Sequence, residues 1–508
     1  MRKFFSKITI KTVAVFTAAT LLCVFQAVGV DLIIVERIIA GIVLIALARY
    51  FKSAAIAVFI AFIIPLFYLP VGLEYGSPAP GYIAAVFETD PSETAEFLSI
   101  VPVRDFFYIL VLIILLAFAL FFNRGGITTV TSTPLRNRRG KIVALVLIII
   151  LLFFGSIPYR FYRLVYKSYA AYADLISKAE TTPINDFEII KRSDALEKDV
   201  RVVVIGESVR KDYLSVYGYP HKTTPFLDGA NGIFIDTLIA AGPSTMTSLS
   251  RTLTAKENER IDWSRTVVTL GAQTGYETYW LSNSGFAGKT STAVSLIASQ
   301  SDRMIFLNAR GGVEAGAKDD FEFLAKFDEI LKNETLKNDR KTPKLIFIHM
   351  AGSHSPACNR LHGFANRFDL PYGKEHNCYL ASIEKLDSFI KALVDEMSAQ
   401  KLSWSLIYFS DHGQGHYENN KEIGLRHGGS AKQGYEVPLF LLDSAATEHV
   451  VIKRRISGLR LIDLFASWLG VNTDKTDPRY TFSDFPEDLN ITTQNGAYDD
   501  LADDPALY

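Results

Sequence analysis

Val200-Arg201-Val202-Val203-Val204-Ile205-Gly206-Glu207 is the stretch on which the reading of this chain turns. A short β-branched apolar run ending in Gly is the pattern of a strand buried on both faces and feeding a turn. Glu207 follows at once, at the carboxyl end of the strand, where open α/β sheets place their ligands, so it is a candidate for chemistry rather than core filling. Downstream, Gly218-Tyr219-Pro220-His221-Lys222-Thr223-Thr224-Pro225 precedes a second apolar run. Ala241-Gly242-Pro243-Ser244-Thr245 then puts a hydroxyl in a Gly-Pro turn, where little side-chain bulk separates it from a substrate.

Strand-like runs at 200–205, 233–238, 279–281, 344–349, 404–409 and 437–442 alternate with helical spacing at 292–301, 321–336, 379–399 and 457–469. This predicts an α/β domain with a central, mostly parallel sheet. Just past the strand ends stand Glu207, His349 with His354, Asp411-His412-Gly413, and His427-Gly428-Gly429 before the last run. In a parallel sheet these ends converge on one edge. Oxygen and imidazole ligands without thiolate suit a divalent ion, with zinc or manganese favoured by the histidine. Singly the signals are weak: an Asp-His pair is common in loops, and His349 reads first as a hydrogen-bonded core histidine. His221, His362, His376, His416 and His449 take a surface or structural reading, and the acidic, irregular tail after Asp474 carries no catalytic signal.

With 508 residues the chain is long enough for two or more domains, and a formal charge of -1 argues against a general nucleic-acid role. Apolar residues are concentrated before Tyr159. Runs at 12–30, 53–73, 106–123 and 142–159 are nearly free of charge and long enough for a hydrocarbon layer of ~30 Å. A fifth run at 32–48 carries Glu36 and Arg37 near its start, where they can snorkel or pair, and it is counted as spanning. Arg2, Lys3, Lys7, Lys11, Arg49, Lys52, Arg124, Arg136, Arg138, Arg139 and Lys141 then fall on one side, and everything after Tyr159 faces outward. A cleaved signal peptide is the alternative for the first run and leaves that placement unchanged. The expected organisation is a transmembrane domain at 1–159, a Tyr-rich interfacial helix and polar linker at 160–198, and an outer catalytic domain at 199–508. The outward stretch 87–97 reads as the first turns of a capped acidic helix. Cys358 and Cys378 lie on the outer, oxidising side, separated by a polar loop, which suggests a disulfide worth roughly 3 kcal/mol, the alternative being two free buried thiols.

Val204-Ile205-Gly206-Glu207-Ser208-Val209-Arg210, Tyr217-Gly218-Tyr219 with Thr223-Thr224-Pro225, His349 with His354-Ser355-Pro356, Ser410-Asp411-His412-Gly413 and Arg426-His427-Gly428 together resemble the motif series of the bacterial phosphoethanolamine transferases. The resemblance covers nearly the whole chain. It implies an alkaline phosphatase/sulfatase-type domain in the periplasm on a five-helix, multi-pass anchor in the bacterial inner membrane. It implies that Glu207, Thr245, Asp411 and His412 hold zinc, with Thr245 also the nucleophile. His354 and His427 match histidines that contact the phosphoethanolamine group or a second metal. Thr89 and Glu93 match substrate-loop positions, with Ala85 where the family usually has Asn. Ser284 and Lys289 correspond to a phosphate-contacting Ser and Lys, at a spacing unlike that of the lipid A branch. Ala241 and Arg251 stand where lipid A-modifying members have cysteines flanking the nucleophile. The run Tyr279-Trp280-Leu281-Ser282-Asn283 is similar to the branch acting on lipopolysaccharide core or periplasmic glucans.

The expected reaction is metal-dependent. A metal on Glu207, Asp411 and His412 lowers the pKa of the Thr245 hydroxyl, which takes phosphoethanolamine from phosphatidylethanolamine and passes it to a saccharide or lipopolysaccharide acceptor. His354 and His427 bind phosphate oxygens or move the proton. No organic cofactor and no nucleic acid is expected. The competing readings are a phosphoglycerol transferase or a hydrolase of the same superfamily and, from another class, a non-catalytic membrane scaffold. A formylglycine sulfatase is disfavoured, because Thr245 opens Thr-Met-Thr-Ser-Leu-Ser-Arg rather than a Cys/Ser-x-Pro-x-Arg frame.

Overall fold

The computed structural model describes residues 35–48, 51–75, 78, 83, 86–87, 94, 98, 101–121, 138–150, 157–193, 198–257, 260–283, 292–307, 318–333, 336–337, 340–419, 422–427 and 430–508. The chain divides into two compact units, Met1–Phe87 with Ser99–Ala173, and Glu88–Leu98 with Asp174–Tyr508.

In the first unit, helices Val35–Ala48, Lys52–Phe67 and Val103–Phe121 pack through Leu44, Ala55, Val58, Phe62, Leu112, Leu116 and Leu120. Ile56, Ile60, Ile64, Leu110 and Ile114 on the same helices are exposed. Apolar residues all round a helix suit a lipid surrounding. Val103–Phe121 is the one helix among the described residues that is long and apolar enough to cross a membrane. The expected span 53–73 is broken: Lys52–Phe67 stops at Tyr68 and a second helix runs Leu69–Tyr75. Pro70 in the first turn of the second helix offers no N–H to continue the first. Helix Arg138–Ile150 covers the first part of the expected span 142–159, and the expected span 12–30 lies outside the described residues.

The stretch expected to lie at the interface falls in helix Ile157–Thr181. The polar linker after it is tied down. Gln273 brackets Phe187, accepting from its N–H at 2.9 Å and donating to its carbonyl at 2.6 Å. Ile189–Arg192 then forms a strand antiparallel to Val471–Thr473.

The second unit is built on eight strands: β1 Val200–Gly206, β2 Gly232–Ile239, β3 Glu277–Ser282, β4 Arg303–Phe306, β5 Lys344–His349, β6 Trp404–Ser410, β7 Glu436–Asp443 and β8 His449–Ser457. Their order is β8-β2-β7-β6-β1-β5-β3-β4. Only β7 runs against the others, pairing antiparallel with β6 and β2. The expectation of a mostly parallel central sheet matches this mixed sheet. β1, β5 and β6 are buried at every residue, which is why they read as continuous apolar runs. One face, with Val202, Val204, Ile346, Ile348, Leu406 and Tyr408, packs on Tyr379, Ile383, Leu386 and Ile390 of the long helix Lys374–Ala399. A disulfide joins Cys358, in the loop after β5, to Cys378 in that helix.

Register places the site. Ser410 lies opposite Gly206, and His349 lies opposite both Ile205 and Ser282. Glu207, Asp411, Asn283 and the loop after His349 therefore leave the sheet side by side.

Candidate functional site

Gly206 ends β1 against the ring of Tyr408, so close that a Cβ there would lie 2.1 Å from its hydroxyl oxygen. The chain then turns through Ser208, which has a left-handed φ of 64°. That conformation is unfavourable for a residue with a side chain and is held from several directions. The Ser208 N–H donates to Asp411 Oδ1 (3.0 Å), its hydroxyl to Glu207 Oε1 (2.7 Å), and its carbonyl accepts from the Tyr379 hydroxyl (2.9 Å). The Glu207 carboxylate is thereby aimed across the ends of β1 and β6.

Thr245 stands where a turn meets a helix. Ser244 is the extended N-cap and Thr245 the first residue of helix Thr245–Thr252. The helix is moored to the site by Ser248, whose hydroxyl donates to the Asp411 carbonyl at 2.5 Å. Thr245 Oγ1 donates to Glu207 Oε2 at 2.9 Å and lies 3.5 Å from His412 Nε2. His412 Nε2 is 3.4 Å from Glu207 Oε1 and 3.3 Å from Asp411 Oδ2. Because His412 Nδ1 donates to the Gly413 carbonyl at 2.8 Å, Nε2 is the nitrogen left facing the carboxylates.

Burial, and then the charge of Asp411, push the Glu207 carboxyl up to about 8; burial pushes Asp411 up to about 6. Asp411 Oδ2 is buried without a hydrogen-bond partner. One ligand atom each from Glu207, Asp411 and His412 lies within 4.8 Å of the others. Two dry carboxylates, an imidazole lone pair and a hydroxyl around one point are a donor set that fits a divalent cation.

His354 and His427 close the other side. Their Nε2 atoms are 3.1 Å apart, so one donates to the other, and the His427 ring lies 4.6 Å from that of His412. With Glu207 they form a second cluster within 4.8 Å. Burial holds His354 down to about 3, and burial with the neighbouring His412 and His354 holds His427 well below its ordinary value. Burial thus disfavours the charged form of both rings.

Glu207, Thr245, Asp411, His412, His354 and His427, expected together from the sequence, thus meet at one sheet edge. Thr89, Glu93, Ser284 and Lys289 lie outside the described residues, as does Ala85. His349 is buried one strand away, with Nδ1 3.3 Å from the Ser282 hydroxyl. His376 and His416 both meet the hydroxyl of the buried Tyr213, at 3.0 and 2.6 Å, and His449 stacks on Phe234 at the outer edge of the sheet. Ser208, quoted in the motif series, was given no role of its own there. Ser208 follows Glu207 directly, and its place in the Gly-Glu-Ser turn was the available signal.

Residues 200–472 match the sulfatase family model. A Haemophilus influenzae protein provisionally named a phosphoethanolamine transferase is 33% identical over 70% of this chain and 73% of its own length. The phosphoethanolamine transferase OpgE of Escherichia coli is 28% identical over 82% of this chain and 80% of its own. Among solved structures, the integral membrane lipooligosaccharide phosphoethanolamine transferase A of Neisseria meningitidis superposes with a TM-score of 0.57 at 16% identity, covering 91% of this chain and 94% of that one. The periplasmic domain of Escherichia coli EptC in complex with zinc superposes with a TM-score of 0.51 at 24% identity, over 63% of this chain and 97% of that one. These two likenesses speak to the fold. The sulfatase match and the identity to the Haemophilus protein decide the family: the chain belongs to the phosphoethanolamine transferases of the alkaline phosphatase/sulfatase superfamily.

Proposed function

We propose that this protein takes phosphoethanolamine from phosphatidylethanolamine onto Thr245 and delivers it to a hydroxyl of a cell-envelope saccharide. The observation that carries the reading is the approach of Thr245 Oγ1 to Glu207 and His412, at 2.9 and 3.5 Å, beside the unpartnered Asp411 Oδ2. Glu207, Asp411, His412 and Thr245 would hold a zinc ion, with manganese as the second choice. Bound there, the ion supplies Lewis-acid stabilisation of oxygen charge and favours the alkoxide form of a hydroxyl.

The chain's own groups do the rest. The Thr245 hydrogen is directed at Glu207 Oε2, so the proton has an acceptor as Oγ1 bonds phosphorus. The P–O bond to diacylglycerol breaks, and that oxygen leaves with a proton. An acceptor hydroxyl then attacks the phosphorus and gives its proton to His354 or His427, the P–Oγ1 bond breaks, and Thr245 Oγ1 recovers its proton from Glu207. His354 and His427, neutral in the free site, offer a ring N–H to the phosphate oxygens. An anionic diester raises their proton affinity, which equips one of them to protonate the leaving oxygen.

A five-span anchor in the bacterial inner membrane, with the catalytic unit in the periplasm, agrees with a lipid donor that must be met at the bilayer surface. Thr89 and Glu93 are proposed to meet the donor, and Ser284 and Lys289 to contact phosphate. The acceptor is proposed to be lipopolysaccharide core or a periplasmic glucan, in keeping with Ala241 and Arg251 where the lipid A branch has cysteines.

Intact-mass spectrometry after incubation with phosphatidylethanolamine tests the reading. A phosphoethanolamine adduct is expected on the wild type and not on Thr245→Ala. An adduct retained by Thr245→Ala removes the nucleophile from the proposal, and one of phosphoglycerol mass from mixed lipids replaces the donor.

A further inference from the structure

Asp320 opens the short turn before helix Phe323–Lys332 and is buried. Its predecessor Asp319 already caps that turn, accepting from the Phe321 N–H at 3.0 Å. Asp320 makes no such local bond. Its Oδ1 accepts from the Ala351 N–H at 3.0 Å and from Asn283 Nδ2 at 2.8 Å, and its Oδ2 accepts from the Gly352 N–H at 2.9 Å. Two consecutive backbone N–H groups gripping one carboxylate form an anion nest.

The loop held in this way carries His354. It lies directly on the first carboxylate of the site: the Met350 N–H donates to the Ile205 carbonyl and the Ser353 N–H to the Glu207 carbonyl, both at 3.0 Å. Gly352 has a φ of +52°, and a Cβ there would come within 2.9 Å of the Glu207 backbone nitrogen and oxygen. The third donor, Asn283, ends β3 at the same sheet edge and is fixed by reciprocal bonds with the Lys318 backbone, at 2.7 and 3.1 Å. One buried carboxylate therefore joins the loop of His354 to the residue from which the chain leaves β3.

We propose that Asp320 is a positioning residue, which sets His354 by holding the 350–354 loop in its nest and fixes the exit of the chain at Asn283. The proposal rests on the role given above to His354. Asp320 touches no reacting atom; it acts by keeping the imidazole of His354 where a phosphate oxygen is met. Asn at this position keeps the shape but offers one acceptor oxygen where the nest needs two.

A double-mutant cycle on the full-length, zinc-loaded protein tests this, with phosphoethanolamine transfer, zinc content and thermal melting as readouts. Asp320→Asn is expected to lower kcat roughly ten- to a hundredfold with KM for the donor lipid little changed. Zinc content is expected to stay at the wild-type value. In a His354→Ala background the same substitution is expected to cost nothing further, because the residue it positions is already gone. A further fall in kcat equal to that seen in the wild type, or no fall in either background, overturns the proposal and leaves His354 standing. A His354→Ala protein with wild-type rate overturns the role of His354, and the positioning proposal falls with it. Should Asp320→Asn fail to fold, Asn283→Ser withdraws one donor from the same carboxylate. A kcat loss of about threefold that vanishes beside His354→Ala is then expected, and an additive loss or none overturns the proposal.

Discussion

Glu207, Asp411 and His412 stand one or two residues beyond the ends of adjacent parallel strands, whereas His354 and His427 reach the same place from loops. The carboxylate half takes its geometry from the sheet: once β1 and β6 are in register, Ser208, Ser410 and the Gly413 carbonyl complete it from within the same few residues. The histidine half borrows its geometry. Its loops depend on Asp320, on the Cys358–Cys378 bridge, and on the ribbon Gly415–Asn419 paired with Glu422–Arg426 just before His427. Ligands built on strand ends should resist change nearby, while residues held on loops should be sensitive to distant substitutions.

The contrast is sharpest at Asp411. Asp411→Ala removes a proposed metal ligand and the acceptor of two backbone N–H groups, from Ser208 and His412. Transfer is expected to fall on the order of a thousandfold or more, with zinc lost from the purified protein by elemental analysis. Zinc retained at full occupancy would mean that the carboxylate half is not the metal centre. His427→Ala is expected to act more narrowly. Zinc should stay and kcat should fall about a hundredfold, the scale of losing one proton-transferring or phosphate-binding group. A loss of zinc along with activity would erase the distinction between the halves.

The smallest effect separates both halves from their surroundings. His349 is held down to about 4 by burial alone, so the folded state keeps it neutral where the unfolded chain protonates it below its ordinary value near 6.5. Its contribution is complete above that pH and is lost as pH falls toward 4. The stability of the wild type relative to His349→Gln should therefore drop by about 2 kcal/mol between pH 7.5 and pH 5, measured by denaturant unfolding. Activity at pH 7.5 should differ little. A large activity loss would place His349 among the reacting groups and not in the core.

What the sequence revealed follows the same division. β1, β5 and β6 were legible because strands buried on both faces leave uninterrupted apolar runs. β4 and β8 were not: both are edge strands, and His449-Val-Val-Ile-Lys-Arg-Arg-Ile-Ser mixes charge into a mostly exposed strand. Helix Thr245–Thr252 escaped notice because Thr and Ser are poor helix formers and nearly every residue is buried, which erases any periodic stripe. Glu207, Asp411 and His412 could be placed from strand ends alone. His354 and His427 also stood out near strand ends, but their roles at the site came only from the motif series, since no local pattern tells where a loop will return. Asp320 lay hidden beside Asp319, which takes the local cap; its partners are 37, 31 and 32 residues distant.

One reversal in the sheet bears on how the two halves of the site are tied together. Because β7 runs opposite to β6, the chain leaves the sheet after Ser410 and re-enters it at Glu436 on the same edge, with Asp411 and His412 near one end of the excursion and His427 near the other. Both ends are anchored by strands that the fold cannot do without. The ribbon Gly415–Asn419 with Glu422–Arg426 lies between them, so a change in its length would be felt at His427 before it was felt at Asp411 or His412.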